Sequence, residues 1–121
     1  EYHYAEPLDI DRMKQAAGYL VGTHDFKAFC GNKRMKKSTV RTIYDISIRK
    51  EGADIRIDYR GNGFLQNMVR ILTGTLIEVG DGRRKPEEIK DILASLDREN
   101  AGYTAPACGL MLLEVEYGSK G

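Results

Sequence analysis

The sequence predicts a small α+β domain in which a short antiparallel β-sheet is backed by helices. Two observations carry this prediction. Apolar and polar residues alternate along two stretches joined by a glycine-containing turn, which is typical of a half-buried β-hairpin. Elsewhere apolar residues recur at helical spacing, most clearly between Phe64 and Val79.

The first predicted element is a helix over residues 7–21. Asp9 or Asp11 suits its cap position, and apolar residues recur at helical spacing as far as Gly22, which ends the pattern. Residues 23–38 contain few apolar side chains, so we expect a loop there.

The hairpin is predicted next. Its first strand spans residues 40–49, where Tyr44, Ile46 and Ile48 alternate with polar residues and should point to one face. After a turn at residues 50–53, the same alternation predicts the second strand.

The second half of the chain predicts two more helices and one more strand. A long helix over residues 64–79 ends at the glycines that follow it. Pro86 suits the first turn of a third helix, which should continue through Leu96. We expect residues 97–108 to form a loop and residues 110–117 to form a third strand.

Composition limits the class of protein. The 121 residues fit one domain with a hydrophobic core, and the net charge of +1 gives no overall signature of a nucleic-acid binder. No apolar run approaches the length of a membrane span, so we expect no membrane partner. We also expect a cytoplasmic protein, because no secretory pattern opens the chain and the two cysteines suggest reduced thiols. Cys30 and Cys108 lie far apart and suggest reduced thiols, and no familiar spacing of ligands suggests a metal site. The start at Glu1 suggests a domain of a longer protein, or a chain from which a leader or tag was removed.

Arg70 is the most unusual residue of the predicted long helix. Asn67, Arg70 and Gly74 would share the side opposite the leucine stripe, and the glycine would leave open space beside the guanidinium. One explanation is a solvated arginine on an outer helix face. The other is an arginine that holds a carboxylate or phosphate. Ile71 and Ile77 on the same side support this second explanation, because a charge among apolar groups needs an anionic partner.

A run of cations before the hairpin is the second candidate site. No acidic residue interrupts it, and Phe26 and Phe29 stand at its upstream end. Cations beside aromatic rings suit phosphate contact and base stacking, although a solvated loop in a charge-rich chain has the same composition. We call residues 27–41 the basic loop; its cations are Lys27, Lys33, Arg34, Lys36, Lys37 and Arg41. A shorter patch at residues 83–85 leaves the same two explanations open.

Two other features carry little chemistry. His24 and Asp25 are adjacent, adjacent residues rarely face each other, and no serine or cysteine completes a triad with them. The turn Gly61-Asn62-Gly63 lacks the spacing of a phosphate-binding loop. We therefore expect neither hydrolysis by this pair nor nucleotide binding at this turn.

Four segments occur in the order of one known family. Residues 61–74 match G-x-G/A-F-x-x-x-M-V-R-x-x-x-G, and residues 22–29 match G-x-H-D-F-x-x-F. Residues 104–110 match T-A-P-A-x-G-L, and residues 3–9 are similar to the start of a C-terminal domain. Together they resemble the tRNA pseudouridine synthase A (TruA) family over nearly the whole chain. The resemblance implies the C-terminal half of a pseudouridine synthase fold.

The resemblance also implies an activity. It is isomerisation of uridine to pseudouridine in the anticodon stem-loop of tRNA, by a homodimer without cofactor or metal. The family's nucleophile is an aspartate in a G-R-T-D-x-G-V-H motif of the N-terminal half, and this sequence contains no such motif. We therefore expect the chain alone to fold, to bind RNA weakly and to have no turnover. The alternative is a non-catalytic RNA-binding or dimerisation module.

Residue roles carry over by position. Arg70 would contact the catalytic aspartate of the N-terminal half, and Leu110 would border the uracil pocket. Asn62, Phe64 and Asn67 would support the floor of the cleft. The residues implied to face RNA are those of the basic loop and its approach: His24, Asp25, Phe26, Lys27, Phe29, Lys33, Arg34, Lys36, Lys37 and Arg41.

Overall fold

The computed structural model describes residues 8–51, 54–105 and 112–117. From the N-terminal side, the helices and strands of these segments are one helix, three strands, two helices and one strand. They are α1 (Ile10–Leu20), β1 (Gly22–Asp25), β2 (Val40–Glu51), β3 (Asp54–Gly61), α2 (Met68–Gly80), α3 (Glu88–Ser95) and β4 (Leu112–Tyr117). Short 3-10 turns lie at Lys27–Phe29 and Arg98–Asn100.

One sheet contains the strands in the order β1-β2-β3-β4. β1, β2 and β3 pair antiparallel, which confirms the predicted α+β class. β4 joins β3 in parallel, a pairing that the sequence prediction did not include. It arises because the chain leaves β3, passes through α2 and α3, and returns in the same direction, as parallel neighbours require a long crossover.

The predicted loop at residues 23–38 contains regular structure. β1 pairs with β2 from Gly22 to Asp25, and the hydroxyls of Thr23 and Thr42 lie 2.7 Å apart across the pair. The prediction of a loop over this part was wrong because a four-residue edge strand shows no alternation of apolar residues. The expected loop at residues 97–108 likewise contains the turn at Arg98–Asn100.

A bulge in β2 changes the predicted faces of that strand. The register shifts between Ile43 and Asp45, so Ile43 is fully buried whereas Tyr44 is 42% exposed. Ile46 and Ile48 keep the predicted inward direction, with Ile48 buried and Ile46 packed against the core. Tyr44 was therefore assigned to the wrong face, because an extra residue reverses the alternation.

The ends of the helices also differ from the prediction. α1 begins after Asp9, whose carboxylate caps the helix by accepting the Arg12 amide at 3.2 Å. α2 begins at Met68 rather than Phe64, because Asn67 has a left-handed backbone with φ 58°. Leu96 lies beyond the end of α3 with φ 54° and 41% exposure, so it is not part of the helical apolar face.

The core lies between the sheet and the helices. α2 supplies its centre, since every residue from Ile71 to Ile77 is buried. Tyr59 of β3 is also buried, and its hydroxyl lies 2.7 Å from the Thr73 hydroxyl of α2. Burial raises the pKa of the Tyr59 hydroxyl well above its ordinary value, and the hydrogen bond to Thr73 lowers it by less.

The described residues contain no helix long and apolar enough to cross a membrane. They also contain no group of three or more His, Cys, Asp and Glu side chains able to hold a metal ion. Cys30 is buried as a free thiol. Cys108 and Leu110 lie outside the described residues, as do most of the motif at residues 3–9 and part of the predicted turn at residues 50–53.

Candidate active site

Arg70 lies in the first turn of α2 and is anchored by its own segment and by a distant one. Its Nε donates to the carbonyl oxygen of Ala105 at 2.8 Å, and its Nη1 donates to Asn67 Oδ1 at 3.3 Å. The Ala105 amide in turn donates to the Arg70 carbonyl at 3.0 Å. The side chain is partly buried and is held by these two bonds.

Among residues 8–50 and 55–105, whose side chains the structure describes, no carboxylate pairs with Arg70. Its hydrogen bonds there go to two neutral oxygens. These bonds fix the plane of the guanidinium and leave further N–H groups to donate. A partly buried guanidinium remains charged, so this arrangement suits an anionic partner.

The segment of residues 101–105 lies directly against α2. A Cβ atom at Gly74 would lie 2.9 Å from the carbonyl carbon of Tyr103 and would overlap its oxygen. A Cβ at Gly102 would lie 2.7 Å from Thr75 Cα. The predicted open space beside Arg70 was therefore wrong, because Gly74 is covered by the backbone of this segment. The two glycines allow the approach that brings Ala105 to Arg70.

Polar contacts hold the upstream part of this segment. The Gly102 amide donates to Thr75 Oγ1 at 2.8 Å, and Thr75 is fully buried. The Tyr103 amide donates to Glu78 Oε2 at 3.4 Å. Arg98 donates to the Gly102 carbonyl and to the Thr104 hydroxyl. Sequence reasoning placed Thr104 in a family motif but did not identify Thr75, Glu78 or Arg98, because none of these three stands out by composition.

The residues predicted to floor the cleft lie on the chain between β3 and α2. Asn62 closes the end of the hairpin, with its amide donating to the Thr42 carbonyl and its Oδ1 accepting the Thr42 amide, both at 3.0 Å. Phe64 is partly buried against the core. Asn67 is exposed and contacts Arg70. Asn67 therefore contacts Arg70, whereas Asn62 forms its hydrogen bonds with Thr42 of β2.

The start of the basic loop lies beside the same turn. The Gly31 amide donates to the carbonyl of Gln66 at 2.8 Å, and a Cβ at Gly31 would lie 3.1 Å from Asn67 Nδ2. The loop therefore leaves the core next to the residue that precedes α2. Sequence reasoning could not predict this contact, because Gly31 lies far along the chain from Gln66 and Asn67.

Most cations of the basic loop are exposed. No described residue forms an ion pair with any of them. The exposed set is Lys27, Lys33, Arg34, Lys36 and Lys37. Arg41 is partly buried, and its Nη1 donates to the carbonyls of Ser38 at 2.8 Å and Val40 at 2.7 Å.

The approach to the loop has structural roles. Asp25 Oδ1 accepts the amide of Lys27 and the hydroxyl of Thr39, so it joins the two ends of the loop. His24 Nε2 lies 3.1 Å from the Val21 carbonyl. Phe26 and Phe29 are completely buried, with ring centroids 6.3 Å apart. Rings without exposed surface offer no face to a base, so this arrangement does not support the predicted base stacking.

The second basic patch is largely neutralised. Arg84 Nε lies 2.7 Å from Glu78 Oε1, and Arg83 Nη2 lies 2.7 Å from Asp81 Oδ2. Lys85 remains exposed. Intramolecular pairing therefore explains both arginines of residues 83–85.

A family model described as tRNA pseudouridine synthase matches residues 16–118. The chain belongs to the tRNA pseudouridine synthase family. Family members that resemble it include tRNA pseudouridine synthase A of Brevibacillus brevis, which is 56% identical over 115 residues. The proteins of that name from Thermoanaerobacter sp. and Bacillus pumilus are 52% and 50% identical over 116 and 115 residues. The resemblance predicted from the motifs is confirmed.

The matches are unequal in length. They cover 95%, 96% and 95% of this chain, but 47%, 48% and 47% of the three relatives. The chain therefore spans about half the length of the curated relatives that it matches.

Proposed function

We propose that this chain supplies the arginine-bearing half of the active site of a tRNA pseudouridine synthase. The parent enzyme isomerises uridine to pseudouridine in the anticodon stem-loop of tRNA, as a cytoplasmic homodimer without metal or cofactor. The observation that carries the proposal is Arg70, a partly buried charge oriented by Ala105 and Asn67 without a described carboxylate beside it.

The role of Arg70 follows from the chemistry of an aspartate nucleophile. The aspartate must be ionised to attack the nucleotide, and a nearby guanidinium favours the ionised form. A planar guanidinium also orients the carboxylate, because it donates from more than one nitrogen. We assign the aspartate to the N-terminal half of the same enzyme, so that assembly of the two halves completes the site.

The surroundings of Arg70 support contact with substrate. Asn67, Phe64 and Asn62 follow one another across the turn before α2, and we assign them to the floor of the uracil pocket. We assign Leu110 to the border of that pocket by its place in the motif alone.

The basic loop would contact tRNA phosphates, together with His24. Its exposed cations have no described acidic partner, and the loop leaves the core next to Asn67. Phosphate contacts of this kind position RNA without reading its sequence. We expect the loop to contribute affinity and Arg70 to contribute rate.

The first experiment locates the nucleophile. Tritium release from tRNA labelled at uracil C5 is measured for the 121-residue chain and for a fusion. The fusion joins the chain to the half of the Brevibacillus brevis relative that it does not match. We expect release by the fusion alone. Release by the chain alone would refute the division of the site. Silence from both with tRNA still bound would favour the non-catalytic binding module.

The second experiment tests Arg70 in the fusion. Arg70→Lys keeps the charge but loses the fork, so we expect the rate to fall about a hundredfold with tRNA affinity nearly kept. Arg49→Lys is the matched control, since Arg49 lies on β2 and is 53% exposed beside Asp58. Equal and modest effects of both substitutions would contradict the catalytic role.

A further inference from the structure

Arg98 connects the turn at Arg98–Asn100 to the segment that anchors Arg70. Its Nη1 donates to the Gly102 carbonyl at 2.9 Å, and its Nη2 donates to Thr104 Oγ1 at 3.1 Å. The side chain is partly buried. The two acceptors lie two residues apart, so one planar fork holds the backbone and the side chain of the segment in a fixed relation.

The next residue along the chain carries the carbonyl that orients Arg70. Ala105 is fully buried and accepts Arg70 Nε at 2.8 Å. Upstream of Thr104, the segment is tied to α2 through Gly102 and Tyr103. At Thr104 itself, the contact that the structure describes is the one from Arg98.

We propose that Arg98 is a positioning residue that sets the orientation of the Arg70 guanidinium through Thr104 and Ala105. The proposal deepens the function proposed above and rests on it. Lysine does not reproduce the fork, because its ammonium donates from one nitrogen, whereas Arg98 reaches the two acceptors from two separate nitrogens. Without the fork, Ala105 keeps the bond from its amide to the Arg70 backbone carbonyl but loses the restraint at Thr104, so its own carbonyl, and with it the Arg70 side chain, is less firmly oriented. A displacement of about 1 Å at a reacting centre is enough to reduce the rate strongly.

The test measures Arg98→Lys in the fusion enzyme. We expect the single-turnover rate of tritium release to fall about tenfold while the Kd for tRNA changes less than about twofold. Arg12→Lys is the matched control. Arg12 is also partly buried and donates to two carbonyls, Val79 at 3.2 Å and Arg84 at 2.7 Å, but at the far end of α2. It should lose similar thermal stability and keep its rate. Equal loss of rate in both variants would overturn the proposal.

A double-mutant cycle separates positioning from general destabilisation. If Arg98 acts through Arg70, Arg98→Lys should have little further effect in a protein that already carries Arg70→Lys. An undiminished tenfold effect in that background would overturn the proposal. Thr104→Val is a milder variant that keeps Arg98, and we expect a smaller fall in rate in the same direction. An unchanged rate for Thr104→Val would overturn the pathway through Thr104.

A measurement without catalysis keeps the inference distinct from the proposed function. The exchange rate of the Arg70 Nε proton, followed by NMR in the 121-residue chain, reports its hydrogen bond to Ala105. Arg98→Lys should accelerate this exchange at least about tenfold, whereas Arg12→Lys should not. Unchanged exchange would overturn the positioning role even in an active enzyme. Accelerated exchange with an inactive fusion would instead refute the proposed function.

Discussion

Gly74→Ala tests the close approach on which the candidate site depends. The added Cβ would lie 2.9 Å from the carbonyl carbon of Tyr103 and would overlap its oxygen. Ordinary contact requires the segment of residues 101–105 to move by about 1 Å or more. The move strains the bonds from the Gly102 amide to Thr75 and from the Ala105 amide to Arg70.

The expected change in the free energy of unfolding for Gly74→Ala is the sum of opposing contributions. Alanine favours a helix over glycine by about 1 kcal/mol. Against this, each strained hydrogen bond contributes about 1 kcal/mol, and the overlap adds about 1 kcal/mol or more. We expect Gly74→Ala to lower the free energy of unfolding by about 2 kcal/mol. In the fusion, it should also lower the rate of tritium release, because Ala105 orients Arg70.

The assay is urea unfolding of the chain followed by circular dichroism. Gly18→Ala is the matched control, because Gly18 lies inside α1 and a Cβ there meets no atom within 4 Å. This control should raise the free energy of unfolding by about 0.5–1 kcal/mol. If Gly74→Ala were as stable as Gly18→Ala, the segment would not lie against α2 as described.

Three further predictions concern the core and the charged surface. Since burial raises the pKa of Tyr59, the stability from its protonated hydroxyl is full below about pH 10 and falls as the pH rises above it. Tyr59→Phe should weaken this alkaline fall in unfolding midpoints, and an unchanged fall would contradict the assignment. Arg84→Met should cost about 2 kcal/mol in urea unfolding, because the Arg84 side chain is only 21% exposed and joins Glu78 to the Asn100 carbonyl. Arg83→Met should cost less than about 1 kcal/mol, because the Arg83 side chain is 55% exposed and the Arg83 amide still donates to Asp81. Equal costs would argue against a larger contribution from the partly buried pair of Arg84 and Glu78. Lys36→Gln should reduce the slope of log Kd against log salt for tRNA by about 1, and Lys14→Gln on α1 should leave it unchanged. A slope that changes with Lys14→Gln but not with Lys36→Gln would contradict the proposed contact between the basic loop and tRNA.

Local patterns were sufficient for much of the fold. The alternation around the hairpin predicted β2 and β3, and the apolar spacing after it predicted α2. Asp9 was correctly proposed as a helix cap. These features depend on neighbours a few residues apart, so the sequence expresses them directly. The ordered motifs also predicted the family that the comparisons then confirmed.

Other features required the tertiary structure. β1 exists because it pairs with β2, and the bulge at Tyr44 depends on the register with β3. The two phenylalanines beside the basic loop belong to the core, although their sequence neighbours are charged and exposed. In each case the deciding partner is distant along the chain, so no local spacing contains the information.

The candidate site shows the same division. The sequence by itself predicted that an arginine, Arg70, lies among apolar neighbours inside a helix and belongs to a family motif. Only the tertiary structure decided how that arginine is held. Residues 101–105 fold back over Gly74, so that the carbonyl of Ala105, 35 positions away, fixes the guanidinium. A backbone carbonyl carries no side-chain identity, so its contribution becomes visible only when packing brings it to its donor.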